Sequence, residues 1–132
     1  VYQPTLCYRQ HKSSKKISKR PQVLAVQKQV LEKFFQRSDL PDEICRCKDD
    51  ILFYSLVWMA GSLYDNGHPQ EMAKYLEVSL QYTADTPTEI ILHWIESFAT
   101  EKHQYSEQLD AKMLVHQLEW QQAVFRALTQ TF

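Results

Sequence analysis

The sequence predicts an all-α domain of about five antiparallel helices, arranged as a bundle or as tetratricopeptide-like helical hairpins, after an extended basic N-terminal arm. Three observations lead to this prediction. Apolar residues recur at steps of three and four along most of the 132 residues, which is the period of an amphipathic helix. The two glycines are too few for a protein of strands and tight turns. Four of the five prolines stand directly before a helical pattern, where the missing N–H has no partner to lose.

The first predicted helix covers residues 21–38. Its apolar residues are Val23, Leu24, Val26, Val30, Leu31, Phe34 and Phe35. They follow one another at helical steps, so we expect them to form one face of an amphipathic helix.

The second predicted helix, residues 41–66, is the central element. Residues 51–60 are apolar nearly all round the helix, which is typical of an element buried on all sides. Gly67 follows directly and suits the left-handed residue that ends many helices.

A third helix is predicted over residues 69–83 and a fourth over residues 87–103. The fourth begins at Thr86-Pro87-Thr88-Glu89, where Thr86 caps the helix and Glu89 closes a capping box. The fifth begins near Ser106 or Asp110. Its apolar residues are Leu114, Val115, Leu118, Phe125 and Leu128. The connections are short, so successive helices are expected to be antiparallel neighbours.

A tetratricopeptide-like pair is one of two arrangements open to the second and third helices. The residues near that spacing are Ala60, Gly61, Leu63, Tyr64, Gly67, Leu76 and Ser79. An ordinary helical hairpin explains the same residues.

Basic residues are concentrated at the start of the chain. Residues 1–20 hold six Lys or Arg and no acid, whereas residues 21–132 hold nine basic and sixteen acidic side chains. We therefore divide the chain into a basic arm, residues 1–20, and a helical domain, residues 21–132. The arm suits an anionic membrane surface or phosphates, or a linker that docks on an acidic neighbour. Nucleic acid is not expected, because no aromatic residue lies between Lys12 and Arg20 to stack on bases.

No complete active site is predicted. The sequence has no glycine-rich phosphate loop, no His-Glu-x-x-His and no nucleophile elbow. Cys45-Arg46-Cys47 lacks the second pair of ligands that a zinc site needs. The chain has three cysteines, the third being Cys7. This odd number favours reduced thiols and a cytoplasmic protein. The acidic pairs at residues 42–43 and 49–50 suit helix N-termini.

Histidine and aromatic residues are read mainly as packing residues. His93 and His116 lie in apolar patterns, which indicates core or boundary positions. The aromatic side chains at helical spacing are core residues first. Trp120 or Tyr105 is a candidate for an exposed partner surface.

The start of the chain resembles a glycosyltransferase motif. Tyr8-Arg9-Gln10-His11, followed by Ser13-Ser14, resembles the Tyr-Arg-x-His…Ser segment that closes the catalytic domain of many family-2 glycosyltransferases of the GT-A fold. Residues 30–35, 39–44 and 58–64 look like the helical extension that follows this motif in bacterial, notably cyanobacterial, members.

The resemblance implies sugar transfer from a nucleotide sugar, performed by a domain upstream of Val1. In that family an Asp-x-Asp motif holds a divalent metal and a carboxylate activates the acceptor. Tyr8, Arg9 and His11 alone match family positions, at the edge of the donor–acceptor cleft, where Arg9 meets phosphate charge. The chain itself is then expected to hold no metal or cofactor and to be inactive in isolation.

The helices would then form an accessory C-terminal domain that supports acceptor binding or assembly. The expected partners are the upstream catalytic domain, other polysaccharide-synthesis proteins or an anionic membrane surface. The alternative is a free-standing, tetratricopeptide-like interaction module. The start at Val1 without methionine favours a piece of a longer protein, although removal of a methionine before valine gives the same start.

Overall fold

The computed structural model describes residues 19–100 and 114–129, and within these ranges the chain is all-α, as predicted. Six α-helices and one 3-10 turn lie in the described ranges, with no strand among them. The helices are α1 (Arg20–Phe35), α2 (Asp42–Arg46), α3 (Lys48–Asp65), α4 (Pro69–Ser79), α5 (Pro87–Thr100) and α6 (Leu118–Thr129). The 3-10 turn, Leu80–Tyr82, extends α4. None of the described helices has the length and apolar character needed to cross a bilayer.

The central helix is α3, as the apolar stretch of residues 51–60 predicted. It packs against α1, α4 and α5, and nine of its residues are buried, among them Leu52, Val57 and Leu63. Burial of one such side chain stabilises the fold by about 1.5–3 kcal/mol. A single cluster of buried residues joins α3 to Leu24 of α1 and to the inner faces of the later helices.

The prediction of a single helix over residues 41–66 is wrong, because the helix is interrupted at Cys47. The backbone of Cys47 leaves the helical region, with φ −94° and ψ 2°. Its N–H closes α2 on the carbonyl of Ile44, 3.1 Å away, and its carbonyl accepts the first bond of α3 from Ile51, at 2.9 Å. None of the five described residues of α2 is buried, so the core does not require α2 to continue the axis of α3.

The end of α3 is confirmed at Gly67, whose φ of 84° is left-handed. The Gly67 N–H donates to the carbonyl of Tyr64 at 3.1 Å, and the His68 N–H donates to the carbonyl of Leu63 at 2.8 Å. These two bonds form a Schellman motif, which satisfies the last carbonyls of the helix and reverses the chain. Pro69 then begins α4.

The start of α5 is confirmed at Thr86. The Glu89 N–H donates to Thr86 Oγ1 at 3.3 Å, and the Thr86 hydroxyl donates to the Glu89 carboxylate at 2.9 Å. From this start the buried residues Ile90, Trp94 and Phe98 follow at steps of four, which places them on one face toward the core.

The last helix differs from its prediction in the residue at which it begins and in the face that it buries. Residues 101–113 lie outside the described residues; Leu114 is helical, the chain turns at 115–116, and α6 begins at Leu118. The buried face is formed by Trp120, Ala123 and Ala127. The alanines allow α6 to lie close to α4, which it contacts along with α5.

Consequently the apolar residues expected to face the core from this helix mostly face outward. Leu118, Phe125 and Leu128 are more than half exposed. The proposal that Trp120 is exposed is also wrong: only 3% of it is accessible, because it packs on the rings of Trp94 and Phe98.

Candidate docking surface

The predicted motif residues Tyr8, Arg9 and His11 lie outside the described residues, as do Cys7 and Tyr105. Of the basic arm, the structure describes only its last two residues, Lys19 and Arg20.

Residues considered for metal or thiol chemistry are exposed and lie close together in the sequence, around the junction of α2 and α3. Cys45 and Cys47 are free and exposed. Asp49 and Asp50 lie in the first turn of α3, where carboxylates complement the helix dipole. Within residues 19–100 and 114–129, no group of three or more His, Cys, Asp and Glu side chains comes together in a way that could hold a metal ion.

His93 is a half-buried boundary residue, as its apolar setting predicted. Its Nε2 lies 3.4 Å from Asp85 Oδ2. Its ring meets those of Phe53 and Tyr54 edge-on, with centroids 6.1 Å and 5.7 Å away. His116, by contrast, is exposed in the turn before α6, so its predicted core or boundary position is wrong.

The most unusual surface feature is a stripe of apolar side chains on the outside of α1. We call Val23, Val26, Val30 and Phe34 the outer stripe. Each is at least one-third exposed, and Val26 and Val30 reach 59% and 62%. Their steps of three, four and four residues place them in one row along the helix.

The expectation that all apolar residues of this helix share one face is therefore wrong. Leu24 and Phe35 are buried, with 0% and 8% accessible, and Leu31 is half-buried. Because consecutive residues of a helix are about 100° apart, these three form a separate inner row. The inner row fixes α1 to the core and leaves the outer stripe to solvent.

A third side of α1 is polar and faces α4. Lys28 Nζ lies 3.1 Å from Glu32 Oε2. Burial raises the pKa of Tyr75, on α4, above its ordinary value, and the nearby carboxylates of Glu32 and Glu71 raise it further. The single acid of α1 is thus held near α4, away from the outer stripe.

A groove lies between α1 and α3. The α1–α3 groove has a volume of about 300 Å³ and is lined by Gln27, Tyr54, Ser55, Trp58 and Met59. Gln27 stands one turn after Val23 and one turn before Val30, so the groove borders the outer stripe. On α3, the exposed residues Ile51 and Tyr54 continue the apolar surface along the groove.

A second exposed apolar row lies on α6. We call Leu118, Phe125 and Leu128 the α6 row. Phe125 borders a depression of about 370 Å³ shared with Glu77, Gln121, Gln122 and Arg126. Its rim is a weak ion pair, with Arg126 Nε 3.6 Å from Glu77 Oε1. Four of the five residues around this depression are polar or charged, whereas the α1–α3 groove is lined by no charged side chain.

Sequence reasoning missed the outer stripe, although a signal was present. Apolar residues stand in adjacent pairs at 23–24, 30–31 and 34–35. One narrow face cannot hold both members of such a pair, because they are about 100° apart. Three pairs at helical spacing therefore indicate two apolar rows on one helix.

Comparison with known proteins adds no relative. The chain matches no family model, and neither the curated proteins nor the solved structures compared with it show a significant similarity.

Proposed function

We propose that this chain is an accessory helical domain that joins an enzyme to a partner, with the outer stripe of α1 as its docking surface. The observation that carries the proposal is the exposure of Val23, Val26, Val30 and Phe34 in one row on a helix whose other apolar row is already buried. Contiguous apolar surface of this kind marks interaction sites in folded proteins.

The arrangement of α1 supports docking over a purely structural role. Leu24 and Phe35 already join the helix to the core. Of the outer stripe, Phe34 contacts the ring of Phe35 at a centroid distance of 5.1 Å, whereas Val26 and Val30 are more than half exposed and valine contributes little to helix formation. A binding surface accounts for four apolar residues in this register, whereas a solvated helix would have polar residues there.

The enzyme we propose is a nucleotide-sugar-dependent glycosyltransferase of the bacterial family-2 type. The support is the segment Tyr8-Arg9-Gln10-His11, followed by a basic linker and then by helices. In this proposal the divalent metal and the catalytic carboxylate belong to the upstream catalytic domain. The helices then support acceptor binding or assembly in a polysaccharide-building complex.

A cytoplasmic location is part of the same proposal. Cys45 and Cys47 are both free and exposed, and exposed thiols of this kind persist in a reducing compartment.

The mass of the native protein tests whether this chain is part of a larger glycosyltransferase. An antibody raised against this chain is used to probe an extract of the source cells. We expect a band well above 15.6 kDa, the mass of this chain, and an Asp-x-Asp motif in the additional upstream sequence. A band at 15.6 kDa would contradict the glycosyltransferase setting and leave a free-standing helical interaction module.

Catalysis gives the second test. The purified chain is incubated with labelled nucleotide sugars, and the full native protein is assayed in parallel. We expect label transfer or release from the native protein alone. Transfer by the isolated 132 residues would overturn the proposal that this domain is accessory.

A further inference from the structure

We propose that the α1–α3 groove, together with the outer stripe, binds an amphipathic helix whose flanks are acidic. This inference rests on the proposed docking function and names the chemistry of the partner. Three features favour this partner: the size of the groove, the spacing of the apolar residues on both of its sides, and the charge of α1.

The size of the groove fits a side chain of a partner. About 300 Å³ lies at the lower end of the roughly 300–1,000 Å³ of small-molecule sites. Its lining has the rings of Tyr54 and Trp58 and no charged side chain. One large apolar residue, such as Leu or Phe, would bury its surface there.

The two sides of the groove have the spacing that a helix requires. The outer stripe follows α1 at steps of three and four, and on α3 Ile51, Tyr54 and Trp58 follow the same steps. An amphipathic helix laid along such a surface presents anchors at i, i+3 or i+4, and i+7. Successive anchors would meet Val30, the groove and Val23 in turn.

The basic residues of α1 favour a partner helix with acidic flanks. Residues 19–35 contain four Lys or Arg and one acid, Glu32, which gives this described segment a charge of +3. Glu32 is already paired with Lys28. Lys33 is exposed and stands one turn after Val30 and two turns after Val26, along the flank of the stripe. Acidic flanks on the partner would therefore be attracted, and basic flanks repelled.

The extent of the apolar surface over two helices favours a helix over a lipid surface. A bilayer interface would receive the apolar face of α1 alone, whereas the exposed Ile51 and Tyr54 continue the apolar surface onto α3. An anionic membrane is nevertheless a necessary arm of the test, because the basic arm would also attract it.

The experiment is a selection from a library of stapled helical peptides. Each peptide has fixed leucines at i, i+4 and i+7, and its flanking positions are randomised among Glu, Gln and Lys. The intact 132-residue chain is the bait. We expect enrichment of Glu on the flanks, and a selected peptide to bind at least about tenfold more weakly to V26S/V30S and to Lys33→Glu.

The matched control is the α6 row, whose residues are as exposed as those of the outer stripe. The variant L118S/L128S removes a similar apolar area on another helix and should leave the Kd unchanged. Enrichment of Gln or Lys on the flanks, or an equal loss of binding in the α6 variant, would overturn the inference.

Two further measurements test whether a membrane or a second copy of the chain occupies this surface instead. Sedimentation with phosphatidylserine vesicles, lost in V26S/V30S while no peptide binds, would make a membrane the occupant. A dimer in light scattering that V26S/V30S abolishes would make it a second copy of the chain. Either result would overturn the acidic-helix inference, and neither would contradict an accessory domain, which the native mass tests separately.

Discussion

The indole rings of Trp94 and Trp120 meet edge to face, with centroids 5.9 Å apart and planes at 69°. This contact joins α5 to α6 within the core cluster, and Phe98 also packs on Trp120, with a centroid distance of 5.7 Å. Trp94 is fully buried. Its Nε1–H has no acceptor among the described residues.

Replacement of Trp94 should depend on whether a ring remains. Trp94→Ala should lower the free energy of unfolding by about 3–5 kcal/mol through the cavity it leaves. Trp94→Phe should lower the free energy of unfolding by much less. It keeps an aromatic ring, and it removes a buried N–H whose unpaired desolvation costs the folded state about 1–3 kcal/mol. Urea unfolding measures both. Equal losses in the two variants would mean that the indole N–H has a partner.

Replacement of Gly67 should destabilise through the backbone alone. A Cβ added at Gly67 has no atom within 4 Å among the described residues, so steric contact adds nothing. The left-handed φ of 84° should still make Gly67→Ala cost about 1 kcal/mol. Gly67→Asn should cost less, since asparagine tolerates this region. Thermal unfolding of both variants checks the order, which an alanine variant as stable as the parent would refute.

The two rows of α1 should differ sharply in their effect on stability. V26S/V30S should change the free energy of unfolding by less than about 0.5 kcal/mol per site, because both valines are exposed and serine has a similar helix propensity. Leu24→Ala should cost about 2–5 kcal/mol. A large loss in V26S/V30S, measured by urea unfolding, would show that the outer stripe is covered within the folded chain.

The cap of α5 should be worth about 1 kcal/mol. Thr86→Ala removes the oxygen that accepts the Glu89 N–H and should lower the free energy of unfolding by that amount. Thr88→Ala, an exposed threonine two residues later, is the matched control and should be close to neutral. Similar losses at the two positions would argue against the cap.

Ionisation of Tyr75 should report the position of α1. Its pKa is raised by burial and by the carboxylates of Glu32 and Glu71. The stability that its protonated phenol contributes is therefore fully present below about pH 10 and is lost as the pH rises through the folded pKa. Glu32→Gln should lower this pKa, whereas Glu43→Gln, on exposed α2, should not.

The measurement is the phenolate absorbance of each protein, minus that of its Tyr75→Phe counterpart. An unchanged titration in Glu32→Gln would mean that Glu32 does not lie near Tyr75 in solution.

The sequence predicted those parts of the fold that depend on local chemistry. The cap at Thr86 and the left-handed turn at Gly67 each require particular residues in adjacent positions, and the structure has both. The buried centre of α3 followed from an apolar stretch long enough to leave no polar face.

Features that depend on packing between helices were not predicted. The break at Cys47 has no proline or glycine to mark it. On α6, Ala123 and Ala127 face the core while Phe125 does not, because close approach of two helices favours small residues over large ones. For the candidate docking surface, periodicity identified the apolar residues of α1 but not their division into two rows.

The inner row gives α1 a further property. Among its described residues only Leu24 and Phe35 are buried, whereas α3 buries nine. The free energy needed to open a helix locally rises with the buried contacts it makes, so amide hydrogens of α1 should exchange with solvent sooner than those of α3. A partner that binds only the closed helix slows that exchange by mass action. The rate of amide exchange in α1 should therefore report whether the docking surface is occupied.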